Sequence, residues 1–474
     1  MIEWKNVNKD FEIMDAQVKK AKEINFTEGP ITKPLVRFLL PILAALVIQF
    51  LYYAVDLFVV GKFCSTATVA GVSMASEVSL YITEIAANLA TGCTVLIGTF
   101  LGEKKKKEAG DVIGTGIIFF VFVAVVLTFA TYFLASPMLK LFQTPEASMA
   151  DGIIYIQVCA IGMIFTVAYN IIGSIFRGIG DSITPLITVA VSCVINIGLD
   201  FLLVGGLSMG AKGAALATII AQAISVVVSL IIIKRKGLPF SFTKESMKFN
   251  KYLCGKIFKL GFPLALENVI VSASFLIVYT CVNSLDMGVA ATASVGIAGK
   301  VINFIVVIPI AFAQALSAFV AHNMGAGRLD RAKKALKQSV LMSLVVACVM
   351  FTASFFFGSF FTNIFSDDPD VVVYATLYLK GFSFDTFMTS ILFCFIGFLN
   401  GCGKTFITLW QGIVGVIVRV GSASFFASVT WVTLFFMGMC TPISTFFQNA
   451  VCIIYFIFLI KKLSKQDSDN QLKI

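Results

Sequence analysis

FLLPILAALVIQFLYYAVDLFVV, residues 38–60, decides the class of fold. The run contains one charged residue, Asp56, and is long enough to cross a bilayer as an α-helix, which takes about 20 apolar residues. Similar runs recur as far as Ile460. Over all 474 residues, 58% are apolar and 13% are charged, against about 25% charged residues in a soluble domain. The composition therefore excludes a soluble enzyme and indicates an integral membrane protein.

The apolar runs predict twelve transmembrane helices and an all-α integral membrane fold. The predicted spans are 36–60, 68–100, 111–135, 152–176, 182–204, 212–233, 257–283, 290–321, 336–362, 372–399, 406–429 and 437–460. The polar segment that precedes them lacks the apolar core and small-residue cleavage site of a signal peptide, so we expect it to be retained.

Positive charge lies mainly in alternate connections between the spans. Most of the 36 Lys and Arg residues fall in 103–108, 234–259, 328–337 and the two termini. Because cytoplasmic loops carry an excess of Lys and Arg, this asymmetry predicts a multi-pass protein of the cell membrane with both termini in the cytoplasm. Topology thus explains the net charge of +10, and we expect no nucleic-acid partner.

The two halves of the chain match at an offset of 223 residues. Tyr155 corresponds to Tyr378, and Gly178 corresponds to Gly401. Six spans per half is an even number, so both halves have the same orientation, and the sequence predicts two pseudo-symmetric six-helix lobes. The sequence predicts five segments, namely a cytosolic N-terminal segment at 1–35, an N-lobe at 36–233, a cytosolic basic linker at 234–256, a C-lobe at 257–460 and a cytosolic tail at 461–474. Parallel repeats are typical of transporters, with a cavity between the halves that opens to either side.

Four polar residues in the first-half spans indicate an ion site. Asp56 lies near the outer end of the first span, and Asn196 and Asp200 share one face of the fifth span because they are four residues apart. Thr218 lies at a similar depth in the sixth span. Their oxygens suit a hard cation such as Na⁺, and a carboxylate in this setting can instead carry a proton. The alternative is that Asn196 and Asp200 make a structural pair and Thr218 bonds its own backbone.

The second half lacks this acidic pair. At the repeat offset, Arg419 takes the place of Asn196, and Ala423 takes the place of Asp200. We therefore expect an ion site in the first half, whereas Arg419 either pairs with a carboxylate or lines the cavity.

Several blocks of sequence resemble the MATE (multidrug and toxic compound extrusion) transporters, and together they span most of the chain. The blocks are VDLFVVGKF at 55–63, VAGVSMA at 69–75, TGCTVLIGTFLGEKKKKEAG at 91–110, RGIGDSITP at 177–185, INIGLDFLLVGGLSMGAKGAALAT at 195–218 and AFVAHNMGAGRLDRAKKAL at 318–336. The resemblance implies a two-lobe antiporter that expels amphipathic, often cationic, compounds in exchange for inward Na⁺ or H⁺. It also implies a first-lobe cation site at the positions that match here, Asp56, Asn196, Asp200 and Thr218.

Other charged residues in the spans are candidates for the second lobe or the cavity. Some members of the family use acidic residues in the second lobe, for which Glu267 and Asp385 are the candidates here. Glu77 either draws cationic substrate toward the cavity or is half solvated. Lys300 is expected to snorkel or to neutralise a carboxylate. His322 ends its span, which favours an interfacial role over a proton relay.

The sequence thus predicts a secondary active multidrug efflux transporter that works by alternating access and is not an enzyme. We expect a monomer in the lipid bilayer that acts on small organic substrates, with no cofactor apart from Na⁺ or H⁺ as the coupling ion. Two alternatives stay open. One is a flippase or exporter of a lipid-linked precursor, and the more remote one is a membrane enzyme or receptor.

Overall fold

The computed structural model describes residues 25–238, 246–285, 288–429 and 433–471. Within these ranges the chain is helical, and no residue in them forms a β-strand. The start of the predicted N-terminal segment, the middle of the predicted linker and the last residues of the predicted tail lie outside the described residues.

Fifteen α-helices, labelled α1 to α15, make up the described part of the chain. In the first half they are α1 Thr32–Phe63, α2 Thr66–Gly102, α3 Lys106–Leu141, α4 Glu146–Ile161, α5 Met163–Ile179, α6 Ile183–Asp200 and α7 Gly210–Lys236. In the second half they are α8 Lys251–Asn283, α9 Gly288–Gly325, α10 Leu329–Phe356, α11 Gly358–Asn363, α12 Pro369–Ser383, α13 Asp385–Gly401, α14 Thr405–Ala427 and α15 Leu434–Gln471. A π-helical turn, Phe201–Gly206, continues α6.

Ten helices of the described residues are long and apolar enough to cross a membrane. Two further spans are bent pairs of helices, α4 with α5 at 57° and α12 with α13 at 47°, so the total reaches 12 when each pair counts as one span. This confirms the predicted all-α fold with twelve spans. The fourth and tenth predicted spans, 152–176 and 372–399, are each broken in the middle instead of being continuous helices.

Each break has a local cause. Gly162 ends α4 beside Ile219 of α7, so closely that an added Cβ would lie 2.5 Å from the Ile219 side chain. At the second break, the Ser383 hydroxyl donates to the Leu379 carbonyl and the Thr386 hydroxyl donates to the Ser383 carbonyl. Such side-chain bonds to the backbone compete with the helical ladder and favour bending.

The chain forms two compact units. The first unit comprises Met1–Gly261 and His322–Arg328, and the second comprises Phe262–Ala321 and Leu329–Ile474. The first turns of α8 and the last turn of α9 therefore belong to the first unit.

Glycines allow α8 to approach α2 closely inside the first unit. An added Cβ on Gly92 would lie 2.5 Å from the Ile257 carbonyl oxygen, and one on Gly261 would lie 2.2 Å from the Leu89 carbonyl oxygen. Small residues at helix contacts let backbones meet in membrane proteins, where packing drives association because lipid is as apolar as the helices.

The internal repeat also appears as a repeated contact. In the first unit Gly178 packs against Thr94 and Ile97 of α2. In the second unit Gly401 packs in the same way against Ser317 and Val320 of α9. Each residue of the second contact lies 223 positions after its counterpart in the first, so the sequence repeat corresponds to a repeat in three-dimensional packing.

Candidate functional site

Three helices of the first unit carry the predicted ion site. Helix α1 packs against α6, and α6 packs against α7. Asp56 lies about two turns before the end of α1, and Asp200 is the last residue of α6 before the π-helical turn. Asn196 precedes Asp200 by one turn, so both side chains lie on one face of α6. Single π-helical turns inside α-helices occur frequently at functional sites.

Asp56, Asn196 and Asp200 are withdrawn from solvent. Their side chains are 2%, 1% and 0% exposed. Within the described part of the chain, both oxygens of Asp200, Oδ1 of Asp56 and both polar atoms of Asn196 have no hydrogen-bond partner. Buried polar atoms in folded proteins are ordinarily paired, so this cluster of unpaired atoms needs an explanation.

Asp56 and Asp200 interact with each other through their side-chain carboxyl groups. Two buried carboxylates that interact in this way cannot both be charged unless a cation lies between them or a proton is shared. The neighbouring Asn196 amide adds a further oxygen, and oxygen atoms are the ligands that hard cations prefer. The arrangement can therefore hold either a small hard cation or a proton.

Thr218, the fourth predicted residue of the ion site, is buried on α7. Its hydroxyl donates to the Ala214 carbonyl one turn earlier, at 3.2 Å, which is the local backbone bond that intramembrane threonines often make. Thr218 lines a small cavity of about 20 Å³ with Gln49, Tyr52 and Ser192. Such a cavity is large enough for a water molecule and too small for an organic substrate.

Two tyrosines that interact with Asp56, and a glutamine that lines the cavity beside Thr218, were not identified from the sequence. Tyr52 lies one turn before Asp56 on α1 and lines the same cavity as Thr218, and Tyr155 of α4 also interacts electrostatically with Asp56. Nearby, the Thr166 hydroxyl donates to Gln222 Oε1 at 2.5 Å. The spacing of Tyr52 and Asp56 was the available signal, since residues four apart share a helix face.

The second unit holds its own set of charged residues. Asp385 is buried and accepts a hydrogen bond from the Thr389 hydroxyl, and the half-buried Glu267 accepts one from Gln411 Nε2 at 3.3 Å. Arg419 interacts electrostatically with both carboxylates. Among the described residues, however, Arg419 makes no ion pair within 4.0 Å. The structure thus brings these three residues into one neighbourhood without a direct salt bridge.

The remaining candidates lie outside both clusters. Glu77 on α2 is exposed. Lys300 is also exposed, and its ammonium lies 5.6 Å from the centre of the Phe365 ring. His322, near the end of α9, is buried and packs edge-to-face on Phe26 with ring centres 5.0 Å apart.

Comparisons with known proteins agree over nearly the whole chain. Residues 41–202 and 263–423 match the MatE family. The probable multidrug resistance protein YpnP of Bacillus subtilis is 24% identical over 437 residues, which cover 92% of this chain and 97% of that protein. The multidrug export protein MepA of Staphylococcus haemolyticus is 24% identical over 89% of this chain and 94% of its own length.

Solved structures show the same fold. A MOP superfamily transporter from Pyrococcus furiosus superposes with a TM-score of 0.88 at 18% identity, over 94% of this chain and 99% of that one. A MATE crystallised in complex with MaL6 superposes with a TM-score of 0.85 at 20% identity, over 94% of this chain and 100% of that one.

Proposed function

Because the chain belongs to the MatE family of multi-pass membrane transporters, and is not an enzyme, we propose that it is a secondary active multidrug efflux transporter. It exports amphipathic, often cationic, organic compounds in exchange for inward Na⁺ or H⁺. The names of its relatives in Bacillus subtilis and Staphylococcus haemolyticus support the drug-export part of this proposal. We further propose that it resides in the cell membrane with both termini in the cytoplasm and works as a monomer.

The observation that carries the coupling part is the buried pair of acidic residues, Asp56 and Asp200. Asp56 Oδ1 and both oxygens of Asp200 lack protein donors in the described part of the chain, and Asn196 adds a buried amide on the same helix face as Asp200. An ion that enters this cluster removes the repulsion between the carboxylates and draws α1 toward α6. Thr218, which lines a small cavity together with Tyr52, is the fourth residue proposed for the ion site.

Coupling requires that the ion and the substrate favour different states of the transporter. A ligand shifts a conformational equilibrium only by its difference in affinity for the two states. In alternating access, the ion therefore has to bind tightest in the state that binds substrate weakly, and by reciprocity the substrate then weakens ion binding. The closure of α1 on α6 around the ion is the movement that we propose for this role.

The test is efflux of a fluorescent cationic dye from proteoliposomes under an imposed Na⁺ or H⁺ gradient. Wild-type protein should move dye under one of the two gradients, and Asp200→Asn should abolish that movement while leaving the protein folded. Asp151→Asn is the matched control. Asp151 is a carboxylate of the same unit that accepts a hydrogen bond from the Thr68 hydroxyl at 2.6 Å, and the amide can still accept that bond.

Two results of the efflux measurement would contradict this proposal. Gradient-driven efflux at the wild-type rate in Asp200→Asn would refute the ion site. No dye movement under either gradient in wild-type protein would refute the drug substrate and favour a lipid-linked or other organic substrate.

A further inference from the structure

The repeat places three different residues in the second unit where the first unit has its acidic cluster. At the offset of 223, Tyr279 corresponds to Asp56, Arg419 to Asn196 and Ala423 to Asp200. A phenol and a methyl group thus replace the two carboxylates, and a guanidinium replaces the amide. At this location the side-chain charge changes from negative in the first unit to positive in the second.

The packing of the second unit is consistent with this replacement. Ala423 is fully buried in an apolar cluster with Val278, Val282 and Tyr378. Val282 and Tyr378 are themselves the counterparts, at the same offset, of the buried Val59 and Tyr155 in the first unit. The position that holds the acidic group in the first unit is therefore filled by a methyl group in the second.

The Arg419 side chain is held firmly in place. It is 4% exposed, its Nη1 donates to Ser274 Oγ at 2.8 Å, and its guanidinium lies 4.3 Å from the centre of the Phe275 ring. A cation is attracted to the face of an aromatic ring, and the attraction increases when water is excluded. Neither contact supplies a negative charge, so the guanidinium relies on more distant groups for charge compensation.

Four ionisable groups interact electrostatically with Arg419, namely Asp385, Tyr378, Glu267 and Cys440. A phenol and a thiol are ordinarily neutral near pH 7, which leaves the two carboxylates as its partners. Each carboxylate also accepts a hydrogen bond, Asp385 from Thr389 and Glu267 from Gln411. In the first unit, by contrast, both Asp200 oxygens lack any donor within the described residues.

We propose that Arg419 is the tethered cation of the second unit, occupying the place equivalent to the first unit's ion site. Its single positive charge compensates one of the two carboxylates, Glu267 or Asp385, and the other keeps its proton, so these residues take up no coupling ion and the ion stoichiometry of transport is set by the first unit alone. This inference rests on the proposed function in one respect, namely that the first unit binds the coupling ion.

Ion binding to the purified protein tests this inference without any need for transport. The readouts are saturable binding of radioactive Na⁺ and proton uptake measured by potentiometric titration, both per chain and relative to wild type. Wild-type protein should take up the coupling ion, and the double variant Asp56→Asn/Asp200→Asn should lose all of this uptake. Residual ion uptake in the double variant would overturn the proposal, because the second unit would then be an ion site.

Adding Arg419→Gln to the double variant should restore the uptake of one cation per chain, since the one carboxylate that Arg419 compensated loses its counter-charge. Adding Arg419→Lys, which keeps the charge, should restore none. Lys300→Gln is the matched control, because Lys300 is a cation of the same unit that lies over Phe365 instead of near these carboxylates. A triple variant with Arg419→Gln that takes up no cation would overturn the proposal.

The ion-uptake measurement still tests the proposal if Arg419→Gln does not fold. In that event, ion uptake is compared between wild type and Asp56→Asn/Asp200→Asn. Any uptake that remains in the double variant belongs to the second unit and would overturn the proposal. A failure of the proposed drug-export function would give a different result from a failure of the proposed role of Arg419. Ion uptake by the wild type without any dye efflux would refute drug export and leave the role of Arg419 standing, whereas a wild type that takes up no ion would refute both.

Discussion

At the scale of single residues, the important feature is that Asp56, Asn196 and Asp200 are buried and that five of their side-chain polar atoms have no hydrogen-bond partner in the described part of the chain. Asn196 and Asp200 come from one helix, and their proximity follows from four-residue spacing. Asp56 comes from another helix, and its contact with Asp200 exists only because α1 packs against α6. The amide of Asn196 has no charge, so its expected contribution is to the affinity for the ion and not to charge balance.

Asn196→Ala should weaken ion binding without abolishing transport. A hydrogen bond or dipole contact to a charged group contributes about 1.5–3 kcal/mol, so the ion concentration for half-maximal dye efflux should rise roughly 10- to 100-fold. Maximal efflux at saturating ion should change little, because both carboxylates remain. Asn170→Ala serves as the control, since the Asn170 amide donates to the Thr166 backbone carbonyl at 2.9 Å. Equal half-maximal concentrations in the two variants would show that Asn196 does not contact the ion.

At the scale of helices, breaks and close contacts decide the geometry of the spans. The predicted spans 152–176 and 372–399 look continuous in a hydropathy profile because the mean hydropathy over each pair of helices stays high across the bend. What breaks them is a glycine against Ile219 in one case and hydroxyl bonds to the backbone in the other. Hydropathy registers neither cause, since the first depends on a residue of a neighbouring helix and the second on local bonds from hydroxyl groups to the backbone.

A pair of glycines on α8 tests the close approach of α8 to α2. Gly261→Ala would place a Cβ 2.2 Å from the Leu89 carbonyl oxygen, so the backbones must separate, at a cost of about 1–3 kcal/mol. The thermal midpoint of the protein in detergent should therefore fall. Gly255, on the same helix, has nothing within 4 Å of an added Cβ. Gly255→Ala should leave the midpoint unchanged or raise it slightly, because Ala favours a helix interior over Gly by roughly 0.5–1 kcal/mol. Equal midpoints would show that α8 does not pack on α2 at Gly261.

At the scale of the whole molecule, the distribution of Lys and Arg sets the expected orientation in the membrane. Lys62 lies at the end of α1, in a connection that is expected on the outer side, and Lys107 lies at the start of α3, in a basic segment that is expected inside. Both side chains are exposed in the structure. They therefore form a pair of reporters on opposite sides of the membrane.

Cysteine labelling of intact cells should distinguish the two sides. In a cysteine-free background, Lys62→Cys should react with a membrane-impermeant maleimide added outside. Lys107→Cys should react only after the cells are permeabilised. The reverse pattern would overturn the proposed cytoplasmic location of the termini, because an even number of spans places both termini on the same side.

The sequence by itself determined the membrane class, the number of spans, the repeat at 223 residues and the shared helix face of Asn196 and Asp200. These features depend on apolar run length and helical periodicity, which are local properties of the chain. Only the tertiary structure decided that Asp56 meets Asp200, that two spans are broken, and that Arg419 lies in the field of Glu267 and Asp385 without touching either. The break at Ser383 depends on local hydroxyl bonds to the backbone. The other features depend on which helices pack together, and a helix that is apolar on most of its surface does not specify its neighbours through hydropathy.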